Sequence, residues 1–107
     1  MQDKKLLIKT EDKLMELGVK PSRVGFIYIC DAMQILKKSP KTRTVDLYMA
    51  IANEECTTWA GVERAIRCAI EAIKDDTLAE YFGGNFEKTN TNFLKTLVIK
   101  IRREMEE

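Results

Sequence analysis

Residues 57–73 constrain this chain more than any other stretch. Within TTWAGVERAIRCAIEAI, the apolar residues Trp59, Val62, Ile66, Ala69, Ile70 and Ile73 recur at helical spacing and form one stripe. The opposite side carries Gly61, Glu63, Arg64, Arg67, Cys68 and Glu71. Such a helix is expected to bury its stripe and present the other face to solvent. Thr57 or Thr58 can cap its start, because a threonine hydroxyl accepts a bond from a free first-turn amide. Upstream, residues 45–54 form a second amphipathic segment with Val45, Leu47, Tyr48 and Ile51 on its apolar side. Only Glu55 and Cys56 separate that segment from the threonines. Two short helices joined by so tight a turn read as a helix-turn-helix over about residues 45–73. An ordinary packed helical hairpin has the same periodicity, so the outward residues carry the distinction. In helix-turn-helix units the second helix enters the DNA major groove. Arginine reads guanine there through O6 and N7, and glutamate accepts from the cytosine amino group. Glu63 and Arg64 are therefore candidate base readers, although a plain solvated face also carries such residues.

The remaining periodicity predicts an all-α, six-helix domain over residues 1–107. A first helix is expected from about Lys4 to Leu17, with Leu6, Leu7, Leu14 and Leu17 buried and Gly18 as its C-terminal cap. A second should begin near Ser22, after Pro21, and end at Lys38 before Ser39-Pro40. Its centre, Phe26 to Ala32, is apolar on most sides, which marks it as the central core helix. The helix-turn-helix supplies helices three and four. Thr77 can cap a short fifth helix, Leu78 to Phe82, stopped by Gly83-Gly84. Thr91 can cap a sixth, in which Phe93, Leu94, Leu97, Val98 and Ile101 recur at core spacing.

Charge is the weak point of a DNA reading. The net charge is only +1, and phosphate contacts need basic side chains. The distribution is more favourable: residues 20–43 hold six basic side chains and one acidic one. Lys37, Lys38, Lys41 and Arg43 lie in a polar run, KKSPKTR, that leads into the helix-turn-helix. They are candidate contacts to the sugar-phosphate backbone, with plain solubility as the competing explanation. Lys95, Lys100, Arg102 and Arg103 form a second basic group on the last helix.

Catalysis finds little support, and no enzyme activity or cofactor is expected. The chain has no histidine and no phosphate-cradling glycine motif. Adjacent carboxylates such as Glu54-Glu55 and Asp75-Asp76 do not face each other on a helix. The three cysteines, Cys30, Cys56 and Cys68, are odd in number and widely spaced, which argues against a disulfide framework and a common zinc site. Cys30 reads as core and Cys68 as exposed. The N-terminus lacks the apolar run of a signal peptide and no segment approaches a membrane span. The expectation is a cytoplasmic location, with neither membrane nor small-molecule substrate as a partner.

The stretch LYMAIANEECTTWAGVERAIRCAIE resembles the helix-turn-helix of the sporulation stage-zero response regulators, which control endospore formation in Bacillus and Clostridium relatives. The family pattern LYxxIAxxxxTTxxxVERAIRxAIE is met at Leu47, Tyr48, Ile51, Ala52, Thr57, Thr58, Val62 to Arg67, and Ala69 to Glu71. Gly18-Val19 followed by Gly25 to Ile29 and Asp31-Ala32 is similar to the family's GV…GYLYL.EA segment. Thr89-Asn90 with Phe93 resembles its TN..F motif. The three matches are collinear and cover most of the chain. The resemblance implies a DNA-binding effector domain. In this reading Arg67 and Thr58 contact phosphate or the groove edge beside Glu63 and Arg64. It also implies short TGTCGAA-like targets, often occupied by tandem dimers, and in the family a phosphorylated receiver domain precedes the effector. Two positions depart. Where relatives usually carry arginine this chain has Gly61, and where they usually carry histidine it has Cys68; both positions lie at the DNA surface in the family. These departures motivate an alternative: a protein-interaction module that keeps the fold, has lost specific DNA binding and modulates a related regulator.

Overall fold

The computed structural model describes residues 3–106 and contains six helices: α1 (Lys4–Glu16), α2 (Val24–Lys38), α3 (Thr44–Glu54), α4 (Trp59–Glu71), α5 (Asp75–Phe82) and α6 (Asn90–Met105). No strand occurs among the described residues. The central helix is α2, as its apolar middle predicts: it packs against α1, α3, α4 and α6. Gly25, Phe26, Ile29, Cys30, Ala32, Met33 and Leu36 are all buried along it. The same core takes Leu6 and Leu14 from α1, Leu47 and Ile51 from α3, and Val62 and Ile66 from α4. Leu78 of α5 and Phe93, Leu94 and Leu97 of α6 complete it. Within the apolar middle of α2, Phe26 and Ile29 are sealed, whereas Ile27 is 48% exposed.

The helix ends follow local chemistry. After α1, Gly18 takes φ +94°, the Val19 amide bonds the Leu14 carbonyl at 2.9 Å and the Gly18 amide bonds Met15 at 3.0 Å. This paired closure needs a residue without a Cβ at its left-handed position, and the buried Val19 and Leu14 accompany it. α5 ends at Gly83, φ +81°, as its sequence predicts. Three starts differ from expectation. Lys20 to Arg23 close a hydrogen-bonded turn (Arg23 amide to Lys20 carbonyl, 3.0 Å) with Pro21 at its second position, so α2 begins at Val24 rather than Ser22. α5 starts two residues before Thr77, with Asp75 and Asp76 in its first turn, where negative charge suits the helix dipole. Thr89, not Thr91, caps α6: its hydroxyl accepts from the Asn92 amide at 3.1 Å. The repeat TNTN offers two capping threonines, and Thr91 instead pairs its hydroxyl with that of Thr44 at 2.8 Å.

The apolar stripes also need correction at their ends. Trp59, expected in the core, is 54% exposed, and Val45 is 45% exposed. Each lies in the first turn of its helix. A helical Cα–Cβ bond tilts toward the N-terminus, so a first-turn side chain projects past the packed part of the helix even when it lies on the buried stripe. Leu7 of α1 is partly buried against the core rather than sealed within it.

Candidate nucleic-acid interface

The placement of α4 begins at Gly25. A Cβ there would run into the Ala65 carbonyl oxygen and lie 2.8 Å from the Ala69 Cβ. Only a glycine lets the α2 backbone approach α4 this closely. Val62, Ile66, Ala69 and Ile70 seal that side of α4. Thr58 caps the start with an extended backbone (φ −104°, ψ 153°), its hydroxyl accepting from the Gly61 amide at 3.0 Å. The turn before it closes on α3: the Glu55 amide bonds Ile51 at 2.8 Å and the Thr57 amide bonds Ala52 at 2.9 Å. Between them Cys56 adopts φ +55°, the position where such turns favour glycine. The two helices and their short connection thus have a helix-turn-helix arrangement.

On the outer face of α4, Arg64, Arg67 and Cys68 are exposed, and Gly61 and Glu63 are partly so. Arg64 lies about opposite Ile66 by helical geometry and pairs with no acid among the described residues. Arg67 Nε is 3.6 Å from Glu63 Oε2, one turn back. An exposed pair of this kind contributes little stability; it holds the two side chains side by side. Gly61 has no packing reason of its own from another element: a Cβ would meet only Thr58 Oγ1 at 3.1 Å and Thr57 Oγ1 at 3.3 Å. Its effect is to leave the face open between the helix start and Arg64.

The basic run lies differently. Lys38, Lys41 and Arg43 are exposed, Arg43 pairing with Asp46 at 3.0 Å. Lys37 turns toward α1 and bonds Asp3 Oδ2 at 2.8 Å. That pair, with the Leu6 amide, holds the Asp3 carboxyl below its ordinary range. On α6, Lys95 reaches back to the carbonyls of Pro40 and Thr42 and so fastens the basic loop. Lys100 lies over the Tyr81 ring, 4.6 Å from its centre.

Several side chains join elements that lie far apart in sequence. Asn90 donates to the Tyr48 hydroxyl at 2.9 Å and to the Glu63 carbonyl at 3.1 Å. It thereby ties α3, α4 and α6 together. Lys88 donates to the carbonyls of Glu71 and Ile73, at 3.2 and 2.6 Å, and to Asp75. It neutralises the C-terminal end of α4, where free carbonyls accumulate. Cys30 is buried as expected, and burial, then Glu11 and Asp31, push its thiol up to about 12. Asp31 Oδ2 is buried without a hydrogen-bond donor. Burial first, then the neighbouring Glu55 and Glu54, push its carboxyl up to about 7. Cys56 and Cys68 are exposed.

Among the described residues no helix is long and apolar enough to cross a membrane. The expected interface is a helix-turn-helix whose second helix is seated through Gly25, capped by Thr58 and bolted to α6 through Asn90. The family model for the C-terminal part of the sporulation initiation factor Spo0A matches residues 10–101, from within α1 to within α6. All three resembling segments, and the contacts that join them, fall inside that match, and the chain belongs to the Spo0A C-terminal family of DNA-binding regulatory domains.

Proposed function

We propose that this chain, as one domain, binds duplex DNA sequence-specifically with α4 in the major groove. The observation that carries the reading is the division of α4: one face is sealed by Val62, Ile66 and Ile70, and the other presents Arg64 and Arg67. Arg64 reads guanine and Glu63 accepts from a cytosine amino group. Arg67 and Thr58 meet phosphate or the groove edge. Gly61 and Cys68 shape the target by what they leave unfilled. Lys38, Lys41 and Arg43 contact the phosphate backbone, and Lys37 joins them only by giving up part of its pairing with Asp3. Two copies on tandem sites set their α4 helices about 34 Å apart, one duplex turn. The activity needs no cofactor or catalytic residue, and its place is the cytoplasm, with the DNA.

A titration of labelled duplex by fluorescence anisotropy, repeated at two salt concentrations, tests this. With Lys38, Lys41, Arg43 and Arg67 each on a phosphate, the slope of log K against log salt is about −3.6. The net charge of +1 and the missing side chain at Gly61 favour one other reading, the interaction module. No saturable binding to any duplex at low salt overturns the DNA reading and favours that alternative.

A further inference from the structure

We infer that Trp59 is a DNA contact and reads thymine methyl groups at the edge of the major groove. The inference rests on the DNA reading of α4 given above. Trp59 is the first residue of α4, and the N-terminal residues of a recognition helix are the ones that reach base edges. It is the only tryptophan in the chain, yet it stands 54% exposed while the next residue of its stripe, Val62, is fully buried. The core therefore ends at Val62, and the indole extends one turn beyond it. Its neighbours leave it no competitor: Ala60 and Gly61 carry nothing longer than a methyl group, and Val62 faces inward. The first turn of α4 thus offers DNA one large side chain, and that side chain is apolar. Among base edges in the major groove, thymine alone presents an apolar group, its C5 methyl. Arg64 and Arg67, one and two turns on, supply hydrogen-bonding and charged contacts. Trp59 makes a separate one, which removes indole and methyl surface from water together.

The test uses the whole chain and a fluorescein-labelled duplex that the protein selects from a random-sequence pool. Anisotropy reports binding, and acrylamide quenching of the single tryptophan reports whether the indole is covered. Duplex should shield Trp59 from acrylamide. Trp59→Ala should weaken binding about tenfold or more, with Trp59→Phe intermediate. Replacing the contacted thymine by deoxyuridine, which lacks only the methyl, should weaken the wild type about fourfold and leave Trp59→Ala unchanged, the mark of a direct coupling. Binding with Trp59 still open to acrylamide overturns the inference and leaves the DNA reading intact. Equal uracil effects in both proteins, or none in either, overturn the methyl contact. Absence of any binding by the wild type overturns both readings. The quenching arm needs no variant, so it decides the matter even where Trp59→Ala folds poorly.

Discussion

Cys56 holds the turn of the helix-turn-helix in a left-handed backbone, φ +55°. A residue with a Cβ spends about 1–2 kcal/mol in that region. Nothing about its side chain offsets this, since the thiol is exposed. Cys56→Gly should therefore raise stability by about 1 kcal/mol in urea unfolding, with DNA affinity unchanged. A destabilised variant would mean that the thiol makes a contact which compensates for the strain. Arg64 and Lys37 show a second lesson of single residues. Both are cations near the helix-turn-helix, but Lys37 already has Asp3 as a partner at 2.8 Å, whereas Arg64 is unengaged among the described residues. Equal formal charge does not give equal availability for phosphate or base.

Between elements, the decisive contact is the approach of α2 to α4 at Gly25. Gly25→Ala places a methyl against the Ala65 backbone, and overpacking of this kind costs about 1–3 kcal/mol. Because α4 must move to relieve it, DNA affinity should fall with stability; thermal unfolding and anisotropy on the same variant check this. Loss of stability with full affinity would separate α4 seating from DNA binding. A second inter-element feature is Asp31 of α2, facing Glu54 and Glu55 at the end of α3. Its carboxyl titrates near 7 in the folded chain and near 4 when unfolded, so the folded state holds the extra proton between those values. Stability must fall as pH rises from about 4 to 7 and be fully expressed only below that window. Asp3 and Glu104 are shifted the other way and act below it. Asp31→Asn should flatten the decline in Tm between pH 5 and pH 8; an unchanged decline would place the proton elsewhere.

These contacts also show where sequence reading stops. Stripes such as Phe93, Leu94 and Leu97 are legible because burial repeats within one helix. So are Gly18 and Gly83, where the closing bonds lie within a few residues. A helical wheel does not say where along its axis the core ends, which is why periodicity alone places Trp59 and Val45 inside. The contacts of Asn90 and Lys95 are illegible for another reason: their partners lie 27 to 55 residues away. The outward face of α4 was readable as a face, and the family pattern supplied its meaning.

At the scale of the whole molecule, a net charge of +1 does not by itself draw the protein to DNA. In the proposed reading affinity depends instead on grouping, with Lys38, Lys41 and Arg43 beside the helix-turn-helix and Arg64 and Arg67 on α4. A sealed core surrounds α2, the outer face of α4 is exposed, and Lys95 and Asn90 of α6 fix the loop and the helix relative to each other. In the proposed complex α4 reads sequence while the loop before α3 meets the phosphate backbone. The most direct measurement compares Arg64→Ala with Lys41→Ala on a selected duplex and on random duplex. Arg64→Ala should cost about 1–3 kcal/mol on the selected site and much less on random DNA, whereas Lys41→Ala should weaken both alike and reduce the salt slope by about one. Equal losses for Arg64→Ala on the two duplexes would make Arg64 a phosphate contact, and no loss from either change would mean that the helix-turn-helix is not the DNA surface.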